Sequence, residues 1–120
     1  MEKEDVCFMP AYEMAEKIRT QEITSQEITE ILIERIKAVN PIVNAYCTTT
    51  FEVARDMAKI ADEKVKKREN LGLLNGIPTS IKDLMQTKGI KTTYGSKLHE
   101  NFIPEQDDIA VQRLKQADVC

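Results

Sequence analysis

A chain of 120 residues is long enough for one domain with its own hydrophobic core but too short for two. Its composition, with 42% hydrophobic and 31% charged residues, is that of a folded globular protein and excludes disorder along the whole chain. The 17 basic and 20 acidic residues leave a formal net charge of -3, and the basic residues are scattered, so we expect no direct binding of nucleic acid.

The sequence also limits compartment and cofactors. No apolar stretch approaches the roughly 20 residues that cross a bilayer, and the N-terminus lacks a secretory pattern, so we expect a cytoplasmic protein without membrane contact. Cys7, Cys47 and Cys120 are widely spaced, and His99 is the only histidine. This spacing favours neither disulfides nor a metal site, and no motif indicates an organic cofactor.

Two helices are predicted in the first third of the chain. Pro10 is placed in the first turn of one helix, where its missing N–H costs nothing. Thr24 and Glu27 have the spacing of a capping box at the start of the second helix. Apolar residues then recur at helical spacing until Asn40-Pro41, which we expect to end that helix.

A third helix is predicted after a short connection. Residues 42–49 are rich in β-branched and aromatic types and are predicted to form a short strand or an extended connection. Thr49 and Glu52 suggest another capping box, and the helical pattern that follows extends to about Arg68.

The helical period disappears between Gly76 and Phe102, where glycines recur among Thr, Ser and Lys. This pattern predicts loops and a short strand around residues 79–81. Asp107 or Asp108 is then placed to cap a last helix. Three helices, a strand and loop region and one more helix indicate an α/β protein, although one short strand needs partners for its backbone groups.

The motifs of this second half resemble the opening part of the amidase signature family. The first motif is GIPTSIKD at 76–83, and the second is GIKTTYGS at 89–96. Further matching features surround them along nearly the whole chain: the helix end IKAVNP at 36–41, Asn44-Ala45, Pro104, Asp107 and VQRL at 111–114.

The resemblance implies a hydrolase or transferase that cleaves a carboxamide C–N bond, built on a mixed sheet core covered by helices. Its machinery is a serine-serine-lysine triad without metal or organic cofactor. Only the lysine is carried over, to Lys82, because both serines and the oxyanion hole lie in the family beyond residue 120. We therefore expect residues 1–120 to be an incomplete N-terminal portion of a single amidase domain.

Lys82 has two interpretations. From residue type alone it is a solvated strand end, the ordinary place for a lysine. The resemblance implies instead that Lys82 is the triad base, which requires a neutral amine that burial would favour. For the adjacent Asp83, holding the lysine loop by hydrogen bonds is favoured over proton transfer.

Other candidates in the motif region are given structural roles. Ser80 and Ser96 lack the activating partner that a nucleophile needs, so both are predicted to make loop hydrogen bonds. His99 is predicted to lie at the surface. Gly89 and Gly95 are predicted to serve turns, because no phosphate-binding spacing occurs.

The end of the sequence departs from the family pattern. Asp118 stands where the family usually has a glycine at a helix end, and aspartate tolerates a left-handed turn less well. An apolar pair that could open another strand follows, and we expect that the chain ends early.

Three functions remain open after this step. The first is an amidase acting on a small-molecule amide, toward which Thr79-Ser80 and Tyr94-Gly95 lean slightly. The second is the A subunit of a glutamyl- or aspartyl-tRNA amidotransferase, whose partners would be sister subunits. The third is a non-catalytic helical interaction module. A homodimer is also possible.

Overall fold

The computed structural model describes residues 2–120, and the elements found there are helical. They are α1 (Lys3–Cys7), α2 (Ala11–Arg19), α3 (Ser25–Val43), α4 (Phe51–Lys66), a 3-10 turn (Lys97–His99) and α5 (Ile109–Gln116). Helices α3 and α4 pack against each other, α1 packs on α3, and α2 packs on α4. Within residues 2–120 no helix is both long and apolar enough to span a membrane.

The core lies where the apolar faces of the first four helices meet. It also takes in a residue from the loop after α4, so that this loop is fixed to the helical layer. The buried members of the cluster are Val6, Met14, Ile18, Ile23, Ile28, Val65 and Ile77. Burial of such side chains supplies the main favourable free energy of folding.

The predicted starts of α2 and α3 are confirmed. Pro10 is the residue immediately before α2. At α3, the Thr24 hydroxyl accepts a hydrogen bond from the Glu27 amide at 3.1 Å, and a Glu27 carboxylate oxygen accepts one from the Thr24 amide at 2.8 Å. Helix α1 was not predicted, because five residues are too few to show a helical period.

The predicted end of α3 is wrong by three residues. Pro41 lies inside the helix, which continues to Val43 and ends at Asn44 in the left-handed conformation, with φ of 50°. Proline has no N–H donor, so Pro41 costs the helix one intrahelical hydrogen bond. This loss is tolerated because Pro41 lies in the last turn. Asparagine tolerates the left-handed conformation, and the Asn44 amide bonds the Asn40 carbonyl at 2.7 Å.

The capping box predicted at Thr49 and Glu52 is also wrong. The residue that precedes α4 is Thr50, and its side chain makes no capping hydrogen bond. The register explains this, because the third helical position is then Val53, which has no acceptor. Glu52 instead pairs with Arg55 on the next turn.

The predicted strands are not found. Within residues 2–120 no strand is assigned at 42–49 or at 79–81, and a single antiparallel bridge joins Thr87 and Ile90. The Cys120 amide bonds the Ile77 carbonyl at 2.9 Å, and the Thr79 amide bonds the Cys120 carbonyl at 2.8 Å, which is one step of a parallel pattern. One step is too short for a strand, so the α/β class is corrected to a helical one for the described residues.

A buried carboxylate fixes the start of α3. Asp62, on α4, is only 5% exposed and accepts hydrogen bonds from the Ser25 amide at 2.7 Å and the Gln26 amide at 3.1 Å. The Ser25 hydroxyl in turn donates to the Gly76 carbonyl at 2.6 Å. Gly76 has φ of 76°, and a Cβ there would lie 2.8 Å from the Ser25 side chain, so glycine is required. Asp62 and Ser25 thus tie α4, α3 and the following loop together.

Asp118 adopts the left-handed conformation of a helix-ending glycine, with φ of 65°. Its carboxylate pairs with the Lys64 ammonium at 2.8 Å and accepts a hydrogen bond from the Gly72 amide at 2.8 Å. The Lys64 hydrogen bond holds the pKa of the Asp118 carboxyl below its usual range. These contacts offset the backbone strain that an aspartate suffers here.

We expect Asp118→Asn to destabilise the chain by about 1 kcal/mol at pH 7, because a partly exposed ion pair is lost while the left-handed backbone is tolerated. A carboxyl with a lowered folded pKa stabilises above its unfolded pKa, which is about 3.9. The stabilisation is lost as the pH falls through the folded pKa. Thermal unfolding of both proteins should therefore differ at pH 7 and converge in acid, and an equal difference at both pH values would contradict the ion-pair assignment.

Candidate functional site

The motif at 76–83, here called the lysine segment, follows α4 and a turn and lies along one wall of an open cleft. The cleft has a volume of about 980 Å³ and is bounded by the C-terminal half of α3, the loop 45–51 and the stretch 78–95. Its α3 wall is largely apolar, with Leu32, Ile33 and Ile36 among the lining residues. A large, mainly apolar cleft with a few polar groups is the usual form of a ligand site.

The lysine segment is anchored at its start. Ile77 is 7% exposed and belongs to the core, and the Gly76 amide donates to the Asp118 carbonyl at 2.9 Å. Together with the pairing of Ile77 and Thr79 to Cys120, these contacts hold the segment against the end of α5. The segment therefore enters the cleft along a fixed path.

Lys82 lines this cleft, and its side chain is exposed. Among residues 2–120 its ammonium meets no hydrogen-bond or ion-pair partner. The prediction that Lys82 lies at the end of a short strand is wrong, because the lysine segment is an extended loop. Its position on the cleft wall leaves the amine accessible to a group brought into the cleft.

Asp83 is held by Thr93 and Tyr94, which belong to the second motif at 89–96. One carboxylate oxygen accepts a hydrogen bond from the Thr93 amide at 2.7 Å, and the other accepts one from the Thr93 hydroxyl. The Tyr94 amide donates to the Asp83 carbonyl at 3.0 Å. The bonds from Thr93 lower the pKa of the Asp83 carboxyl, as expected for a carboxylate that accepts several hydrogen bonds. This arrangement agrees with the predicted holding role.

The candidate serines also make loop contacts. The Ser80 hydroxyl is hydrogen-bonded to the Tyr46 hydroxyl across the cleft wall, at 2.5 Å. The Ser96 hydroxyl accepts a hydrogen bond from the Leu98 amide at 3.3 Å and caps the 3-10 turn. No hydrogen bond joins either serine to Lys82 in the part of the chain that the structure describes.

His99 is exposed, as predicted, and packs against two aromatic rings. Its ring centroid lies 5.3 Å from that of Tyr94 and 5.9 Å from that of Phe102. Gly89 and Gly95 have φ of 76° and 67°, which confirms that both serve turns.

A second pair of carboxylates holds the loop between the two motifs. Asp108 accepts a hydrogen bond from the Gln86 amide at 2.8 Å, and Asp107 accepts one from the Lys88 amide at 2.6 Å. The predicted cap of α5 is correct in position, since Asp108 directly precedes the helix, but its side chain bonds this loop rather than the helix. Residues 86–88 are thereby fixed to the start of α5.

Metal-binding and disulfide chemistry find no support in the described residues. Residues 2–120 contain no group of three or more His, Cys, Asp or Glu side chains that could hold a metal ion. Cys7, Cys47 and Cys120 are unpaired.

The structure thus places a lysine on an extended segment beside an open, largely apolar cleft. The sequence matches the family described as Amidase over residues 27–120. The chain belongs to this family, the amidase signature family, as its motifs indicated.

Relatives with assigned names share about two fifths of the residues. The A subunit of glutamyl-tRNA(Gln) amidotransferase from Carboxydothermus hydrogenoformans is 42% identical over 113 residues, which are 94% of this chain and 23% of the relative. The same subunit from Geobacter sp. (strain M21) is 43% identical over 112 residues, covering 93% of this chain and 23% of the relative. The chain thus spans about a quarter of the length of the curated relatives it matches.

Solved structures show the same fold. A crystal structure of an amidase matches with a TM-score of 0.83 and 32% identity, covering 92% of this chain and 25% of that one. Fatty acid amide hydrolase matches with a TM-score of 0.90 over 98% of this chain and 21% of that one, and at 24% identity it shows the fold alone.

Two features of the site were missed by the sequence analysis. Asp62 falls on the buried face of α4, four residues after Ala58 and three before Val65, and a charge on such a face signals a buried partner. Thr93 was read only as part of a motif. Its pairing with Asp83 connects positions ten residues apart in a loop and leaves no periodic signal.

Proposed function

We propose that this chain is the N-terminal portion of an amidase domain that cleaves carboxamide C–N bonds, with Lys82 as the base. The observation that carries the proposal is the placement of Lys82, in the family motif, on the wall of an open cleft. The comparisons support amide chemistry for the relatives. Of the triad, the resemblance of the motif implies only the lysine within this chain.

In this mechanism Lys82 in its neutral form accepts a proton, through a second serine, from the serine that attacks the amide carbonyl. The carbonyl carbon gains a bond to the serine oxygen and loses its bond to nitrogen, and the proton passes to the leaving amine. Water or ammonia then releases the acyl group. In the family, both serines lie in the part of the domain that follows the region corresponding to residues 1–120.

The surface of the chain supports an incomplete domain. Leu73 and Leu98 are 90% and 91% exposed, and we expect the rest of the domain to cover them. Among residues 2–120, the amides of Ser80, Ile81 and Lys82 meet no acceptor. In the complete domain these amides could pair with a neighbouring strand of the mixed sheet, which would bury them together with their acceptors. The unpaired cysteines suit a reducing compartment such as the cytoplasm.

A second candidate is the A subunit of a tRNA-dependent amidotransferase, with sister subunits as partners. The observation that favours it is the name of the two relatives above, each over 40% identical across most of this chain. This outweighs the slight lean of Thr79-Ser80 and Tyr94-Gly95 toward a general amidase. Such a protein would release ammonia from an amide for transfer to glutamyl-tRNA.

The test uses the completed enzyme, which is this chain joined in frame to the rest of the domain, taken from its downstream coding sequence or from the Carboxydothermus hydrogenoformans relative. We expect ammonia release from simple amides if the protein is an amidase. For the amidotransferase, we expect it from glutamine, with sister subunits required. The absence of turnover on every amide, with and without sister subunits, would contradict both proposals.

We expect the 120-residue chain by itself to hydrolyse no amide. It carries one member of the proposed triad, and loss of nucleophile and relay removes the covalent route. Ammonia release by the pure chain, abolished by Lys82→Ala, would show that the nucleophile lies within these residues.

A further inference from the structure

Residues 80–82, which include Lys82, make few backbone hydrogen bonds. Among residues 2–120, Ser80, Ile81 and Lys82 make a single backbone hydrogen bond, in which the Lys82 carbonyl accepts from the Met85 amide at 2.9 Å. The position of the lysine amine therefore depends on the contacts on either side of this stretch. On the N-terminal side, the nearest backbone anchor is the bond between Thr79 and Cys120.

On the C-terminal side, the anchor is the residue next to Lys82. Both carboxylate oxygens of Asp83 are bonded by Thr93, one to its amide at 2.7 Å and the other to its hydroxyl. The Asp83 carbonyl is bonded by the Tyr94 amide at 3.0 Å. Side chain and main chain are thus tied to the same turn, which leaves Asp83 little freedom to rotate or shift.

The same contacts argue against a role for Asp83 as a proton acceptor. Its two oxygens are occupied by donors, and those donors lower the pKa of its carboxyl. A carboxylate with a lowered pKa is a weaker base. What remains for Asp83 is the placement of its neighbour.

We propose that Asp83 and Thr93 are positioning residues, which hold Lys82 in the geometry that proton transfer requires. This proposal rests on the proposed function of Lys82. Proton transfer needs the two heavy atoms at hydrogen-bond distance, about 2.6–3.2 Å. A displacement of about 1 Å in a catalytic group can lower the rate by about a hundredfold. Loosening the Asp83 anchor should therefore reduce the chemical step more than substrate binding.

The experiment measures kcat, KM and Tm for variants of the completed enzyme. Thr93→Val removes the hydroxyl donor and keeps the amide donor, and Thr93→Ser keeps both. We expect Thr93→Val and Asp83→Ala to lower kcat by about tenfold or more with KM within about twofold, while Thr93→Ser remains close to the original enzyme. The matched control is Asp108→Ala, which removes the Gln86 contact of the same loop. It should lower Tm and leave kcat unchanged.

An unchanged kcat in folded Thr93→Val and Asp83→Ala proteins would overturn the positioning role, as would an equal loss of kcat in Asp108→Ala. If Thr93→Val does not fold, Thr93→Cys replaces it, because a thiol is a much weaker donor than the hydroxyl of Thr93→Ser. Lys82→Ala separates the two proposals. Turnover that survives Lys82→Ala refutes the proposed function, whereas its loss together with a normal kcat in the Thr93 and Asp83 variants refutes only the positioning role.

Discussion

Lys82→Ala in the completed enzyme should reduce amide turnover by about a thousandfold or more. General acid-base catalysis by a positioned side chain contributes about 10²–10⁴-fold, and here the base also initiates the covalent step. Lys82→Arg should be nearly as inactive, because a guanidinium remains protonated at any working pH. The measurement is the initial rate of ammonia release at saturating substrate.

The matched control for this prediction is Lys91→Ala. Lys91 is also an exposed lysine that lines the same cleft, but it lies outside the lysine segment. Lys91→Ala should retain most of the turnover, so that a loss confined to Lys82→Ala cannot be attributed to the removal of any lysine from the cleft. If both variants lose activity equally, or Lys82→Ala retains it, the assignment of Lys82 as the base is wrong.

The helices could be predicted because their signals are local. The Thr24 and Glu27 capping box and the apolar period after it depend on residues within a few positions of each other. The box at Thr49 failed for a local reason too, since a shift of one residue placed Val53 where an acceptor was needed. Local patterns determine that a helix exists more reliably than where it begins.

The strand and the site contacts depend on partners distant in sequence. Residues 79–81 have an extended pattern, yet a strand forms only when neighbours complete its hydrogen bonds, and one step of pairing with Cys120 is present here. Lys82 was identified by its motif and not by its surroundings. The hydrogen bonds between Thr93 and Asp83 join the two motifs across a loop, and no rule of composition or spacing predicts them from the sequence.

Asp62→Ala should be the most destabilising single change considered for the 120-residue chain, with a loss of about 3 kcal/mol. The buried carboxylate accepts hydrogen bonds from the Ser25 and Gln26 amides and from the Gln26 side chain at 2.9 Å. Removing it leaves amide donors at the start of α3 without partners and removes a negative charge from the positive end of the helix dipole. Ser25 would then be held less firmly. Because its hydroxyl bonds the carbonyl of Gly76, the first residue of the lysine segment, the start of that segment would loosen as well.

The measurement is thermal and urea unfolding of Asp62→Ala, Asp62→Asn and the control Asp56→Ala. Asp56 is exposed on the same helix α4, so its replacement should change Tm by no more than about a degree. Asp62→Ala should lower Tm by about 10 °C, and Asp62→Asn should lie between them because an amide oxygen still accepts one bond without the charge. In the completed enzyme, Asp62→Asn should also weaken turnover if the Asp62 and Ser25 contacts align the lysine segment. Equal Tm values for Asp62→Ala and Asp56→Ala would show that the buried carboxylate does not hold α3, and the lysine segment would then need another anchor.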